Sequence, residues 1–291
     1  MRENMSLKKN HFDALTQLEV QQREHRPQKV EIPSDVKREL VDLGYLEGGQ
    51  ISPKGMEALE PYRVKRAIFF AAGFGSRMVP ITLNTPKPLV RVCGERMIET
   101  SLRQLIKNGI EDIIIVRGYL GEEFEVLLHK YPTIRFIDNP QYNSANSISS
   151  AFLARDQIRD AYVLEADLLV KNPELITKYQ YCSNYLGVPT SKTDDWCFET
   201  DHGRITAIKI GGTDCHHLFG ISFWTAEDGQ KLAGHIEELY HDPEGIQCCW
   251  DVAPGRHLEE YQLMVRECTF DDIAEIDSFD ELKQVDPAYD C

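Results

Sequence analysis

The chain has 291 residues, of which 42% are hydrophobic, and this length allows one large domain and a smaller one with a sizeable core. The net charge of −15 opposes encounter with a polyanion such as nucleic acid or an anionic membrane, so a phosphate site would have to be local. No apolar run approaches the roughly 18 residues that span a bilayer, and no signal-peptide core is present, so we expect a cytoplasmic protein without membrane insertion.

Residues 1–65 are predicted to form a small N-terminal domain. Helices are expected around residues 12–22 and 34–43, followed by a glycine-rich hairpin in "GYLEGGQISPKG" and a last helix in "MEALEPYRV". Helices joined to such a hairpin resemble a winged helix. A DNA-binding version would need a basic helix, because phosphate contacts dominate affinity, whereas acidic and basic residues nearly cancel here. We therefore predict no nucleic-acid partner, and a lid or docking role for this domain.

Residues 66–291 are predicted to form the larger domain. Apolar, β-branched or aromatic runs such as "AIFFAA", "DIIIVRGY" and "AYVLEADLLV" alternate with helical segments such as "MIETSLRQLIKNG". This alternation predicts an α/β fold with a mostly parallel central sheet and helices on both faces. Later in the chain, Asp201-His202-Gly203 supplies the turn of a hairpin. A closing strand and helix are expected in "YQLMVREC" and "EIDSFDELKQV".

A glycine-rich turn follows the first strand of the larger domain, in "AAGFGSRMVPITLNTPKPL". Its backbone N–H groups can bind an anion at a helix N-terminus. A dinucleotide fingerprint would need a third glycine at Met78, and a Walker A loop would need Lys-Ser/Thr where Ser76-Arg77 stands. Arg77 can contact polyphosphate oxygens with its planar fork, and Lys87 adds a point charge. The turn thus predicts a nucleoside triphosphate site; a turn kept for packing beside two surface cations is the alternative.

The segment "FFAAGFGSRMVPITLNTPKPLVRVCGERMIE" resembles the signature of the nucleotidyltransferase superfamily, which includes the sugar-phosphate nucleotidylyltransferases. The resemblance continues through "GIEDIIIVRGYLGEEFEVL", "YNSANSISSAFLAR", "VLEADLLVKN", "CCWDV" and "EIDSFDEL", and covers roughly residues 64–285. It is closest to the bacterial CTP:phosphocholine cytidylyltransferases, some of which carry a winged-helix-like N-terminal extension. The fold that it implies is the Rossmann-like nucleotidyltransferase fold.

The resemblance implies a magnesium site built from two carboxylates. In the family one carboxylate ends a central strand, where Asp167 stands, and a second follows an aromatic residue late in the chain, as Asp251 follows Trp250. Such strand-end carboxylates suit Mg²⁺, although a single aspartate that caps a turn is the alternative. Leu168 stands where family members often have a polar residue, which puts a further contact from that position in doubt.

The resemblance also implies where CTP binds. Amide side chains offer both donors and acceptors to a pyrimidine edge, whereas helix capping by Asn146 or Ser147 is the alternative. Preference for CTP over UTP rests on the resemblance alone. The predicted nucleotide-binding residues are Ala72, Gly73, Gly75, Gly118, Tyr119, Asn139, Asn146 and Ser147.

The implied reaction is attack of a phosphate or phosphonate oxygen on the α-phosphorus of CTP, with loss of pyrophosphate. Arg77 and Lys87 are the predicted catalytic residues, because their charges would stabilise the leaving group. A quaternary ammonium head group favours aromatic faces such as Trp196 and Trp250, and a primary ammonium favours carboxylates such as Asp195; burial of the tryptophans in the core is the alternative. We predict phosphocholine as the acceptor, with 2-aminoethylphosphonate as the close rival.

Two other functions stay open at this point. A sugar-1-phosphate nucleotidylyltransferase usually carries a longer C-terminal region for sugar hydroxyls. A nucleotide-sensing DNA-binding regulator would need a basic helix and would have lost the metal carboxylates. The sequence also leaves open a homo-oligomer and a fused domain beyond residue 291.

Overall fold

The computed structural model describes residues 6–25 and 31–289, which divide into two compact units. Unit 1 holds the chain up to Arg63 together with Tyr179–Tyr181, and unit 2 holds the rest. The division falls two residues before the predicted domain boundary. None of the helices in the described ranges is long and apolar enough to cross a lipid bilayer.

Unit 1 is a small helical unit with one hairpin. Its helices pack around buried apolar side chains that include Phe12, Leu15 and Leu40. The last helix begins earlier than predicted, because the Ser52 hydroxyl accepts a hydrogen bond from the Gly55 N–H and caps it there. The likeness to a winged helix stays a prediction. The elements are α1 (Lys9–Arg23), α2 (Ser34–Asp42), β1 (Leu46–Glu47), β2 (Gln50–Ile51) and α3 (Pro53–Leu59).

Unit 2 alternates strands and helices, as its sequence pattern predicts. Its elements are β3 (Arg66–Ala71), β4 (Arg91–Val92), β5 (Glu95–Arg96), α4 (Met97–Lys107), β6 (Asp112–Arg117), β7 (Arg135–Asp138), α5 (Ile148–Ala154), β8 (Ala161–Glu165), β9 (Leu168–Val170), β10 (Asn184–Asp201), β11 (Arg204–Trp224), α6 (Ala226–His241), α7 (Val252–Gly255), β12 (Met264–Glu267), β13 (Ile273–Glu275) and α8 (Phe279–Val285).

Within the described residues, seven strands form the central sheet in the order β10-β12-β11-β8-β3-β6-β7. β8, β3, β6 and β7 run parallel to one another, whereas β11 is antiparallel to both β8 and β10. The α/β fold class with a mixed, mostly parallel sheet is therefore confirmed. The carboxyl ends of the parallel strands meet at one edge, which is where open α/β sheets bind ligands.

Helices cover both faces of this sheet. Along β3, Phe69 packs on one face with Leu105 of α4, and its neighbour Ile68 packs on the other face with Ile148 of α5 and Ile236 of α6. Successive side chains of a strand point to opposite faces, so an apolar run without alternation is what a strand buried on both faces requires.

Unit 2 also contains the predicted hairpin and an antiparallel pairing between distant segments. The predicted turn joins β10 to β11 through His202 and Gly203, whose φ angles of 47° and 78° fit a type I′ turn. The sequence analysis did not predict the second pairing, in which β13 runs antiparallel to β9 and places Glu275 opposite Leu168. This pairing brings the end of the chain to the carboxyl end of β8.

Substitution by alanine at two glycines of α6 should change the free energy of unfolding in opposite directions. A Cβ at Gly229 would lie 1.6 Å from the carbonyl oxygen of Ile158, whereas a Cβ at Gly234 would have no atom within 4 Å. We expect Gly229→Ala to lower the free energy of unfolding by about 1–3 kcal/mol through overpacking. Gly234→Ala should raise it by roughly 0.5–1 kcal/mol through helix propensity. Urea unfolding of the full chain measures both, and equal stability of the two variants would contradict close packing at Gly229.

Candidate active site

A cleft of about 760 Å³ opens at the carboxyl ends of β3 and β8. Its walls come from the glycine-rich turn after β3, the loop before α5, the residues that follow β8 and those at the end of β13. The structure thus brings most of the predicted nucleotide, catalytic and metal residues to one place. The predicted residues in the lining are Ala72, Gly73, Gly75, Arg77, Lys87, Asn139, Asn146, Ser147, Asp167 and Trp250.

The glycine-rich turn is held against Lys87. Gly75 has a φ of +61°, and a Cβ there would lie 2.8 Å from the Cβ of Lys87, so glycine is required both by backbone conformation and by space. The Thr82 hydroxyl donates a hydrogen bond of 2.9 Å to the Gly75 carbonyl. The turn and the lysine therefore form one wall of the cleft.

Lys87 lies between two carboxylates. Its Nζ is 2.6 Å from Asp167 Oδ2 and 2.7 Å from Asp277 Oδ1, and Arg77 Nη2 is 2.8 Å from the same Asp277 oxygen. Lys87 is only 7% exposed. Burial acts to lower the pKa of Lys87, but the charges of Asp167 and Asp277 outweigh it and the pKa is raised, so the lysine stays charged.

Three carboxylates gather beside Lys87, with ligand oxygens of Glu165, Asp167 and Glu275 within 4.8 Å of one another. Burial and the negative charges of its neighbours raise the pKa of Glu165 well above its usual range. The same causes raise the pKa of Glu275 to about 8. With Asp277, four carboxylates face the two cations Lys87 and Arg77, so two negative charges are uncompensated when all are ionised. Carboxylate oxygens in excess of cations suit a divalent ion such as Mg²⁺.

The close packing of backbone and side chains fixes this carboxylate group. Gly220 of β11 leaves room for Glu165, because a Cβ there would lie 2.0 Å from Glu165 Oε2. Glu275 is set by the pairing of β13 with β9. Asp277 is set by the start of α8, where its N–H donates to Glu281 Oε2 at 2.7 Å next to a capping box.

Sequence reasoning missed Glu165, Glu275 and Asp277 as site residues. Glu165 lies two residues before the predicted Asp167, and the other two stand in "EIDSFDEL", a segment that contributed only to the closing helix and to the family resemblance. The available signal was the acidic character of that segment. What it lacked was any local indication that the segment pairs next to Asp167.

Asp251 lies beside this group and outside the described lining of the cleft. Its carboxylate accepts a hydrogen bond of 2.9 Å from the Tyr185 hydroxyl and is 6% exposed, and burial raises its pKa to about 6. Its charge contributes to the raised pKa of Glu165, so the two are close enough to interact. The role of Asp251 as a metal ligand stays a prediction.

The amide of Asn139 is buried and hydrogen-bonded within the protein. Its Nδ2 donates to the hydroxyls of Ser149 and Ser150 at 2.9 and 3.0 Å, and its Oδ1 accepts from the Gln141 N–H. The side chain therefore fixes the loop before α5 against that helix. The amide group therefore already has partners within the protein, and its assignment to nucleotide binding stays a prediction.

Asn146 and Ser147 also hold this loop in place. Asn146 Nδ2 donates to the Gln247 carbonyl at 3.2 Å, and the Ser147 hydroxyl accepts from the Trp250 N–H at 3.0 Å. Ser147 stands at the N-cap of α5 without a capping hydrogen bond from its side chain, so the capping alternative does not account for its hydroxyl.

Gly118 and Tyr119 do not line the cleft themselves but pack against residues that do. A Cβ at Gly118 would lie 2.4 Å from the Cβ of Tyr142, which lines the cleft. The Tyr119 hydroxyl donates to the Thr82 carbonyl at 2.9 Å, and its ring lies 5.1 Å from that of Phe74 in the cleft wall. Their assignment to nucleotide binding stays a prediction.

The predicted acceptor residues are dispersed. Trp250 lines the cleft but is 3% exposed, with its ring edge-on to Phe70 at 5.6 Å. Trp196 packs against the core on the α6 side of the sheet and lies outside the described lining. Asp195 is exposed, and its negative charge acts to raise the pKa values of His217 and Glu275. It therefore lies within electrostatic reach of the carboxylate group.

An aromatic group that the sequence analysis missed lies next to Asp195. The ring of His217 is 5.1 Å from Phe219 and 5.6 Å from Phe270, and Phe270 is 54% exposed. The Thr193 hydroxyl is 3.2 Å from His217 Nδ1. A surface that combines aromatic faces with a carboxylate can bind an organic ammonium group.

Comparison with known proteins identifies the family of this chain. A family model described as nucleotidyl transferase matches residues 66–185. The chain is 37% identical to the 2-aminoethylphosphonate cytidylyltransferase of Lancefieldella rimae, over 77% of this chain and 92% of that protein. It is 34% identical to the choline-phosphate cytidylyltransferase of Haemophilus influenzae, over 75% of this chain and 95% of that protein.

A solved structure of the CTP:phosphocholine cytidylyltransferase of Streptococcus pneumoniae shares this fold. The two structures match with a TM-score of 0.73 and 32% sequence identity, over 78% of this chain and 99% of that chain. An inositol-1-phosphate CTP transferase from T. maritima, with a TM-score of 0.60 and 18% identity, matches in fold alone. On this fold, this site and these similarities, the chain belongs to the nucleotidyl transferase family of enzymes.

Proposed function

We propose that the protein transfers CMP from CTP to a small phosphorylated or phosphonate amine and releases pyrophosphate. The observation that carries this proposal is the position of Lys87, buried between Asp167 and Asp277 and packed against a glycine-rich turn in the cleft. A fixed cation beside backbone N–H groups suits a polyphosphate. The names of the relatives support CTP as the nucleotide and an amine head group on the acceptor.

The residues of the cleft would have separate roles in this reaction. The turn at Gly73–Gly75 and Arg77 would position the phosphates, and Lys87 would stabilise negative charge as pyrophosphate leaves. In the structure both cations pair with Asp277, which holds them in place before a nucleotide enters. Phosphate oxygens would then replace Asp277 as partners of the exposed Arg77 side chain, which needs no rearrangement of the buried lysine.

Glu165, Asp167 and Glu275 would hold Mg²⁺, and Asp251 is close enough to be a further candidate. When bound, the ion would neutralise charge on the phosphate oxygens. Because burial and like charges raise the pKa of Glu275 to about 8, this carboxyl holds a proton at neutral pH in the absence of a cation, and ion binding should release it.

The acceptor head group has two candidates. Phosphocholine is supported by the structural similarity to the pneumococcal enzyme and by the exposed ring of Phe270, since a quaternary ammonium binds aromatic faces. 2-Aminoethylphosphonate is supported by the 37% identity to the Lancefieldella rimae enzyme and by Asp195, since a primary ammonium can donate to a carboxylate. The burial of Trp250 removes one aromatic face that the choline assignment would have used.

A pyrophosphate-release assay tests the proposal. The full chain with Mg²⁺ is supplied with each of the four nucleoside triphosphates and with phosphocholine, phosphoethanolamine, 2-aminoethylphosphonate or a sugar 1-phosphate. We expect turnover with CTP and one of the amine acceptors. Turnover with a sugar 1-phosphate, or with another triphosphate in preference to CTP, would reject the proposed substrate pair.

Asp167→Asn should lower turnover by roughly 10²-fold or more, because the metal ion would no longer neutralise the charge on the phosphate oxygens. It should also abolish the rise in melting temperature that Mg²⁺ gives the wild-type chain. Asp194→Asn, at a carboxylate with 93% side-chain exposure, is the matched control and should behave as wild type. Calorimetry and the pyrophosphate assay provide both readouts. Retained magnesium stabilisation in Asp167→Asn would remove this residue from the metal site.

Lys87→Ala should lower kcat by roughly 10² or more, with a smaller change in the KM of the acceptor. The reason is that its charge should matter most when negative charge develops on the leaving pyrophosphate. Lys65→Ala, at an exposed lysine paired with Asp160, is the control for loss of a positive charge. A change confined to KM would instead assign Lys87 to ground-state binding of CTP.

Asp195→Asn and Phe270→Ala should discriminate between the two acceptors. If the head group lies against these side chains, either change should raise the acceptor KM about tenfold and leave the KM of CTP unchanged. Phe270→Ala should affect phosphocholine more strongly, and Asp195→Asn should affect 2-aminoethylphosphonate more strongly. An unchanged acceptor KM in both variants would place the head group elsewhere.

A further inference from the structure

A second group of metal-binding side chains lies outside the described lining of the cleft. His235 and Glu238 stand on α6, and His257 and Glu260 stand in the turn after α7. Each segment therefore presents a histidine followed three residues later by a glutamate. The ligand atoms of His235, His257 and Glu260 lie within 4.8 Å of one another.

The glutamates connect the two histidines. Glu260 places one carboxylate oxygen 3.5 Å from His235 Nε2 and the other 3.7 Å from His257 Nδ1. Glu238 Oε2 lies 3.6 Å from His257 Nε2. The two imidazole rings are stacked, with centroids 3.8 Å apart and planes 8° apart. Two imidazole rings and two carboxylates thus share one small region.

Tyr261 orients the first of these ligands. Its hydroxyl lies 2.5 Å from His235 Nδ1, and the tyrosine is 1% exposed. When Nδ1 donates to this oxygen, Nε2 keeps its lone pair and faces Glu260. Metal-binding histidines are commonly held by such a partner on the second ring nitrogen.

We propose that His235, His257 and Glu260 form a binding site for a divalent cation of the zinc class. Imidazole nitrogens with a carboxylate are typical ligands of Zn²⁺, whereas Mg²⁺ prefers oxygen ligands alone. Convergence on one ion requires one stacked ring to turn. His257 can do so, because its side chain is 21% exposed and it precedes a short 3₁₀ turn.

The site would have a structural consequence for the cleft. The segment between α6 and His257 contains Gln247 and Trp250, which line the cleft. An ion held by α6 at one end and by the turn at the other would fix both ends of this segment. It would supplement the ion pair of Arg256 with Asp242, 2.8 Å apart, which joins the same two ends. This inference does not depend on the proposed substrates.

Zinc titration of the metal-stripped full chain tests the site. Calorimetry is carried out with saturating Mg²⁺, so that the cleft carboxylates are occupied, and Co²⁺ absorption reports imidazole ligands. We expect one tight Zn²⁺ per chain in the wild type. His257→Gln and Glu260→Gln should each weaken Zn²⁺ at least about tenfold. Two control variants should bind Zn²⁺ with wild-type affinity. They are His129→Gln, at an exposed histidine outside the group, and Asp167→Asn, in the cleft.

Three results would overturn the proposal. The first is absence of zinc binding by the wild-type chain. The second is equal affinity in His257→Gln and His129→Gln. The third is loss of binding in Asp167→Asn alone, which would place the ion among the cleft carboxylates. Circular dichroism of each variant before titration shows whether it is folded, and Glu260, with 47% side-chain exposure, gives a ligand variant whose folding should be unaffected.

Discussion

Repulsion among carboxylates crowded around Lys87 is the constraint on which the active-site architecture depends. Asp167 and Asp277 pair with the lysine, while Glu165 and Glu275 have raised pKa values because burial and like charges disfavour their ionised forms. Such a group persists only if the surrounding structure holds it in place. The β9–β13 pairing, the space left by a glycine in β11 and the capping box of α8 provide that support.

The part of the site predicted from sequence is the part encoded locally. Gly75, Arg77 and Lys87 stand close together in one segment, so their residue types and spacing suffice. Asp167, two residues after the buried strand β8, was indicated by the family resemblance. Glu275 and Asp277 reach the same place through a pairing between segments about a hundred residues apart. The short β13 strand has no strong periodic pattern, and register between distant strands depends on the whole packed core. The alternation of strands and helices, by contrast, sufficed for the fold class.

The acceptor residues show why residue type alone was insufficient on the long hairpin. The pairing of β10 with β11 shifts register between Thr193 and Trp196, so neighbouring side chains no longer follow the simple alternation of a strand. Trp196 then packs toward the core while Asp195 remains exposed. An aromatic residue beside acidic ones fits both a ligand site and a core position, and residue type alone does not decide between them.

The two groups of titratable residues in unit 2 differ in the chemistry that they offer to a cation. The cleft presents carboxylate oxygens beside a permanently charged lysine, a set that favours a hard ion which can also contact phosphate. The group on α6 and the turn after α7 presents two imidazoles, which are poor ligands for magnesium and good ones for zinc. Because the ligand types differ, one chain could hold Mg²⁺ in the cleft and Zn²⁺ at α6. The ion at α6 would then act on the cleft only through the segment that carries Gln247 and Trp250, by restricting its motion rather than by touching substrate.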